Sequence, residues 1–253
     1  MFAADLKSGV DALDHRPYPP PEGRWALSMR WHDLLFMHWP VPHDLLRPLV
    51  PPALRLDTFD GNAWLGVVPF SMSGVRPRYV PGVSRVSDFP ELNLRTYVTA
   101  GGKPGIWFFS LDAHNPLAVR LARATFHLPY FAAEMYCRRE DDGSIHYRSL
   151  RTHRRAAGAC FAGSYRPTGG PVEAGDLERF LTARYCLYAT DSAGRLLRGE
   201  IHHGDWPLQP AEAEIEKLDM MRQIGLDLPD ADPLLHFSRS LDVVAWLPQR
   251  AEP

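Results

Sequence analysis

The sequence predicts a mainly β protein with a few short helices, its strands forming antiparallel sheets that close on themselves or pack face to face. Three observations carry this. Residues Glu91 to Ala100 alternate polar and apolar side chains with the two-residue period of a strand. Tight-turn signals, Asp60-Gly61, Asp141-Asp142-Gly143 and Asp191-Ser192-Ala193-Gly194, separate apolar runs. Helical spacing is confined to short stretches, so the chain reads as about ten to thirteen strands with two or three short helices.

Taken in order, residues 1–24 read as a proline-rich arm. Pro17-Tyr18-Pro19-Pro20-Pro21 can be neither helix nor central strand, because proline fixes φ and lacks a donor. The arm is expected to wrap the domain or to serve a contact in a homo-oligomer. Residues 25–253 read as one domain. Trp25 to Trp39 holds two short strand-like runs, and Pro42 to Pro48 a short helix bounded by prolines. Leu54 to Phe59 and Asn62 to Phe70 are expected to pair across Asp60-Gly61. Ser71 to Phe89 is aperiodic and reads as a long loop, the kind that serves as a lid or binding loop.

The strand Glu91 to Ala100 is followed by a Gly-Pro turn and an apolar strand, Ile106 to Leu111. Asn115 caps a helix with Pro116 at its first position. This helix, running to Phe126, is expected to pack on the apolar face of the Glu91 strand. Strands follow at His127 to Arg139, Ile145 to Arg155, Ala159 to Arg166, Arg184 to Thr190, Arg195 to His202 and Leu241 to Leu247. Short helices are expected at Asp176 to Leu181 and Asp219 to Ile224.

Composition excludes several classes of function. A net charge of −2 gives no global field to recruit nucleic acid or an anionic membrane. No run is long and apolar enough for a transmembrane helix, no secretory leader is evident, and the expected location is the cytoplasm. Cys137, Cys160 and Cys186 are odd in number and widely spaced, so they form neither a disulfide framework nor a zinc ribbon. No metal site is expected, and no dinucleotide, Walker or nucleophile-elbow motif implies a cofactor. Of 28 basic residues only Lys7, Lys103 and Lys217 are lysines, and imine formation needs a primary amine.

The residues with chemical potential cluster on one strand. Glu91, Asn93, Arg95, Tyr97 and Thr99 share a face. That face meets either solvent or a barrel interior, where Arg95 can pair with Glu91 or hold a ligand carboxylate by its fork. Asp112-Ala113-His114, where a strand gives way to a helix, suits either proton transfer or turn capping. Arg120 and Arg123 share a helix side and can bind an anion or pair with carboxylates. His202 and His203, adjacent in a strand, point to opposite faces. Tyr147-Arg148, Arg151 and Arg154-Arg155 make a basic strand, read as a solvated sheet face.

Several segments resemble the YqjF-like family of bacterial proteins. They are Arg30-Trp31-His32-Asp33-Leu34-Leu35-Phe36-Met37-His38-Trp39-Pro40, Glu91 to Val98, Gly105 to Ala113, Leu128-Pro129-Tyr130 and Trp206-Pro207-Leu208-Gln209. The resemblance runs from about Trp25 to Leu247. That family has no established activity and is similar in fold to acetoacetate decarboxylase. The resemblance therefore implies a twisted antiparallel β-barrel with a central cavity over residues 25–253. The decarboxylase forms an imine on a lysine beside a second lysine, after a Gly-aromatic-Pro motif. The best local match is His127-Leu128-Pro129-Tyr130-Phe131, in which Tyr130 and Phe131 stand at the lysine pair.

The resulting expectation is a barrel that binds an anionic or carbonyl small molecule, without the imine lysine of the decarboxylase. Its ligand would meet Asn93, Arg95, Tyr97, Arg120 and Tyr130. An alternative is a lyase, isomerase or decarboxylase working by carboxylate, Arg and Tyr acid–base chemistry, with Glu91, Asp112 and Tyr130 as catalytic candidates. Another is a structural or interaction protein that keeps the barrel as scaffold.

Overall fold

The computed structural model describes residues 12–80 and 87–252. The first half holds β1 (Leu27–Val41), α1 (His43–Leu46), β2 (Arg55–Leu56), β3 (Ala63–Pro77), β4 (Phe89–Ala100), β5 (Lys103–Ala113), α2 (Pro116–Phe126) and β6 (Tyr130–Arg139). The second holds β7 (Ile145–Arg151), β8 (Cys160–Pro167), α3 (Asp176–Thr182), β9 (Cys186–Thr190), β10 (Leu196–His203), β11 (Gln209–Asp219), β12 (Leu234–Ala245) and β13 (Gln249–Arg250).

The strands form one sheet that forks at two places. β5 pairs with β4 along one edge; on the other edge its first half pairs with β9 and its last residues with β6. β12 likewise lends Val243 to Ala245 to β10 and the stretch near Phe237 to β11. The forks close two rings. One runs β5-β9-β10-β12-β1-β3-β4. The other runs β5-β6-β7-β8-β11-β12-β1-β3-β4. The wall β12-β1-β3-β4-β5 belongs to both.

Strand alternation then decides what each ring contains. Leu92, Leu94 and Val98 of β4 face the larger ring, where they pack with Leu35, Tyr147 and Phe161 into a solid core. Glu91, Asn93, Arg95 and Tyr97 face the smaller ring, which is hollow. The interior reading of this polar face is the one the structure shows. β1 keeps the parity right by a bulge. Asp33 adopts a left-handed φ of 51° at an irregularity in the β1–β3 register. Leu27, Met29 and Trp31 face the hollow ring before it, and Leu34 and Phe36 stay on that side after it.

Several expectations are corrected. The sheet is not wholly antiparallel, because β5 runs parallel to β6 and to β9; helix α2 is the crossover that a parallel β5–β6 pair requires. Asp60 and Gly61, at φ 50° and 77°, do make a tight turn, but beyond the Phe59–Asn62 bridge the flanking segments part and β2 pairs with β4. β3 continues to Pro77, well into the stretch read as a loop. The two runs before Trp39 are one fifteen-residue strand, β1. β11 has no counterpart in the expected strands.

Helix α2 lies on the side opposite to expectation, over the hollow ring, where Leu117, Ala118, Leu121 and Phe126 join its lining. The larger ring's core already covers the apolar face of β4. In the basic strand Tyr147 and Arg151 point inward and are buried, while Arg148 is exposed beside Glu216 at 3.7 Å. The arm is described from residue 12. Arg16 lies 4.6 Å over the Tyr185 ring, donates to the Ile201 carbonyl at 2.8 Å and pairs with Glu200 at 3.7 Å. The arm expectation for residues 1–11 and the lid expectation for residues 81–86 lie outside the described residues.

Candidate functional site

The hollow ring encloses a cavity of about 540 Å³, within the range typical of small-molecule sites. β1, β3, β4, β5, β9, β10 and β12 all contribute to its wall, and α2 covers it. The lining is dominated by apolar side chains, among them Met72, Phe89, Phe108, Leu111 and Leu187. The ionisable and phenolic groups among them are Glu91, Arg95, Tyr130, Arg184, Cys186 and His203.

Glu91 is 3% exposed. Tyr130 Oη donates to its Oε2 at 2.8 Å. Burial pushes the Glu91 carboxyl up to about 8, with the nearby Asp112 charge adding to the rise. The hydrogen bonds from Tyr130 and Asn93 oppose this but do not outweigh desolvation. At neutral pH Glu91 is therefore a buried neutral acid. Burial also raises the Tyr130 phenol well above its ordinary value, with the Glu91 carboxyl adding to the effect. His203 Nδ1 lies 2.7 Å from the Gly204 carbonyl, and burial lowers this imidazole to about 3, so it is neutral as well.

The two cavity arginines differ. Arg184 Nη1 donates to Asp57 Oδ2 at 2.7 Å. Arg95 has no carboxylate within ion-pairing distance among the described residues. Its Nη2 makes a marginal 3.5 Å contact with the Leu181 carbonyl, and its buried Nε has no partner. Its guanidinium sits between the Phe36 and Tyr97 rings, at 5.4 and 5.7 Å from their centroids. The Tyr97 hydroxyl in turn lies 2.6 Å from His38 Nε2. Burial holds His38 well below its ordinary value, with Arg95 adding to the effect.

Of the residues singled out by sequence, Glu91, Arg95 and Tyr130 all line the cavity; Tyr130 bonds to Glu91, while Arg95 stands two same-face positions further along β4, beside Phe36 and Tyr97. Asn93 and Tyr97 share their face but stand behind that lining, as supports for Glu91 and Arg95. Asp112 does not join them. It faces the filled ring, where Arg151 Nε donates to its Oδ1 at 2.8 Å and Gln223 extends the network. Arg151 also lies 4.1 Å over the Phe131 ring, so Phe131 belongs to that network rather than to the cavity. Arg120 is exposed.

Sequence reasoning missed Trp31 and Trp206, stacked at 5.9 Å, and Arg184, and it gave no site role to His203; all four line the cavity. Tryptophans are large, costly to expose and rarely idle, and both lie in quoted segments; that signal could have found them. Among the described residues no lysine lines the cavity; Lys103 Nζ pairs with Glu200 at 2.8 Å.

The model of an uncharacterized conserved protein family, DUF2071, matches residues 28–242. The chain is 47% identical over 228 residues to the uncharacterized protein YqjF of Bacillus subtilis (strain 168), covering 89% of this chain and 93% of that protein. Acetoacetate decarboxylase from Legionella pneumophila subsp. pneumophila str. Philadelphia 1 superposes with a TM-score of 0.62 at 10% identity, over 94% of this chain and 92% of that one. The enduracididine biosynthesis enzyme MppR with HEPES buffer bound gives 0.61 at 11% identity, over 93% and 89%. An acetoacetate decarboxylase-like enzyme from Sphingomonas wittichii RW1 gives 0.56 at 14%, over 90% and 95%. At such identities the likeness establishes the fold alone.

Proposed function

The chain belongs to the DUF2071 family, and from that footing we propose that it is a small-molecule-binding barrel whose cavity takes an anionic or carbonyl ligand without imine chemistry. One observation carries the reading: a cavity of about 540 Å³ with apolar walls that carry the Glu91–Tyr130 pair and, further along β4, Arg95. Apolar walls bind by excluding water, and a few placed polar groups orient what enters. Tyr130 stands on this wall, and no described lysine does.

The test is a thermal-shift screen of keto, hydroxy and carboxylic acids. At least one class raises the melting temperature, and Ala122→Trp, which fills the cavity, abolishes the rise. A screen without hits, or hits indifferent to Ala122→Trp, would sink the reading. Borohydride added with acetoacetate leaves the intact mass unchanged; a trapped adduct would contradict the imine-free chemistry.

One observation favours a second, catalytic reading. Glu91 is a neutral carboxylic acid in an apolar cavity, hydrogen-bonded to Tyr130 and raised to about 8. Such a group suits proton transfer near neutral pH, with Arg95 stabilising a developing enolate-like charge. A lyase, isomerase or decarboxylase reaction would then be lost in Glu91→Gln while binding survives. Equal turnover in that variant would exclude the role.

A further inference from the structure

The arginines of the interior form an instructive series. Arg16 faces Glu200, Arg151 faces Asp112 and Arg184 faces Asp57. Each of these three buried cations has its anion, as the cost of burying charge requires. Arg95, half-buried on the cavity wall, differs from them. It lines the cavity, its Nε is sealed from solvent without a partner, and no carboxylate of the described residues reaches it. Its neighbours are aromatic faces, which hold a cation without neutralising it, and among the described residues its hydrogen bonds go only to neutral groups, the Leu181 carbonyl at 3.5 Å and the Tyr97 side chain.

With Arg184 matched by Asp57, the cavity wall carries one uncompensated cation among the described residues. One negative charge completes it. A second would be stranded among apolar side chains. A planar carboxylate fits the guanidinium fork through two parallel hydrogen bonds.

The rest of the ligand is set by the rest of the wall. Away from Arg95 the lining turns apolar, and it ends at α2. There Leu117 and Leu121, one helical turn apart, are 50% and 57% exposed. The cavity therefore meets solvent at an apolar rim. A small acid would satisfy Arg95 and leave this rim wet; a longer apolar body would cover it.

We propose that the cavity takes an amphipathic monocarboxylate, its carboxylate on Arg95 and its apolar body extending along the wall toward α2. This rests on the binding reading above and narrows it to a ligand class.

The test is calorimetric titration of the full chain with octanoate, octanol, acetate and suberate. Octanoate binds at least about tenfold more tightly than each of the others, which lack the head, lack the body, or carry a second charge. Arg95→Gln removes the advantage of octanoate over octanol. Octanol binding as tightly as octanoate, with both lost in Ala122→Trp, overturns the head-group assignment and leaves the cavity a binding site. Acetate or suberate matching octanoate overturns the ligand class in the same way. No binding by any of the four overturns the ligand class, and the binding reading falls with it only if the acid screen above is also blank. Should Arg95→Gln fail to fold, the wild-type series decides alone.

Discussion

Replacing Glu91 by glutamine isolates the energetic consequence of a neutral acid in the cavity. Glutamine keeps the shape and can still accept from Tyr130, but it cannot ionise. In the unfolded chain Glu91 loses its proton near 4.5; in the folded protein it does so near 8. Between those values the folded state holds one more proton than the unfolded state, so stability falls as pH rises. Each pH unit in that window is worth ~1.4 kcal/mol, which gives a ceiling of about 5 kcal/mol for the whole rise to 8. Below 4.5 both states are protonated and the term is flat. Other groups titrate too. His203, lowered to about 3, loses stability in the opposite sense, as pH falls below its unfolded value. The difference between variant and wild type cancels those terms. Urea denaturation from about pH 4 to pH 9 should therefore show near-equal stabilities at the acid end. It should then show a progressive gain for Glu91→Gln, reaching about 2–5 kcal/mol at the alkaline end. Parallel curves across the range would mean that Glu91 is ionised in the folded protein, and the neutral-acid argument would fail.

Two further substitutions probe the rest of the framework. Arg151→Met leaves the Asp112 carboxyl buried without its cation and should cost about 3–5 kcal/mol in chemical denaturation near pH 8. Asp112 is already raised to about 6 by burial, so it can escape by taking a proton; the cost should shrink toward pH 5, and adding Asp112→Asn should recover most of it. A cost independent of pH would contradict this. At the β1 bulge, Asp33→Val forces a β-branched residue into a left-handed φ and should cost about 2 kcal/mol, whereas Asp33→Asn should stay within about 1 kcal/mol. The loss of pairing to Arg139 and Arg239 adds little, because both arginines are over 40% exposed. Equal unfolding midpoints for the two variants would show that the bulge does not need its residue type.

The local rules of the chain were readable where one element sufficed. The alternation of Glu91 to Ala100 gives the strand and its two faces, and Asn115-Pro116 gives the start of α2, where Asn115 Oδ1 accepts from the Leu117 and Ala118 amides. What alternation cannot say is which ring each face looks into, since that depends on pairings between distant segments. Asp112 illustrates this: it lies opposite Leu92 in the register, on the face away from Glu91, and no local pattern reveals it. The unmatched state of Arg95 is likewise a property of the whole wall. β11 was missed for a different reason. Its inward residues include Ala211 and Ala213, set between Pro210, Glu212 and Glu214, so a two-residue period is present but carried by small side chains.

The wall β12-β1-β3-β4-β5 gives one sequence two independent tasks. Even positions such as Leu92 and Leu94 answer to the packing of a dry core, while odd neighbours such as Glu91 and Arg95 answer to whatever occupies the cavity. Substitution can therefore retune ligand preference at alternate residues without disturbing the core next door. A single-residue insertion or deletion in the middle of β4 is a different event: it would send cavity groups into the core and core leucines into the cavity. Divergence along this partition is thus free to proceed by exchange of residues and closed to change of length.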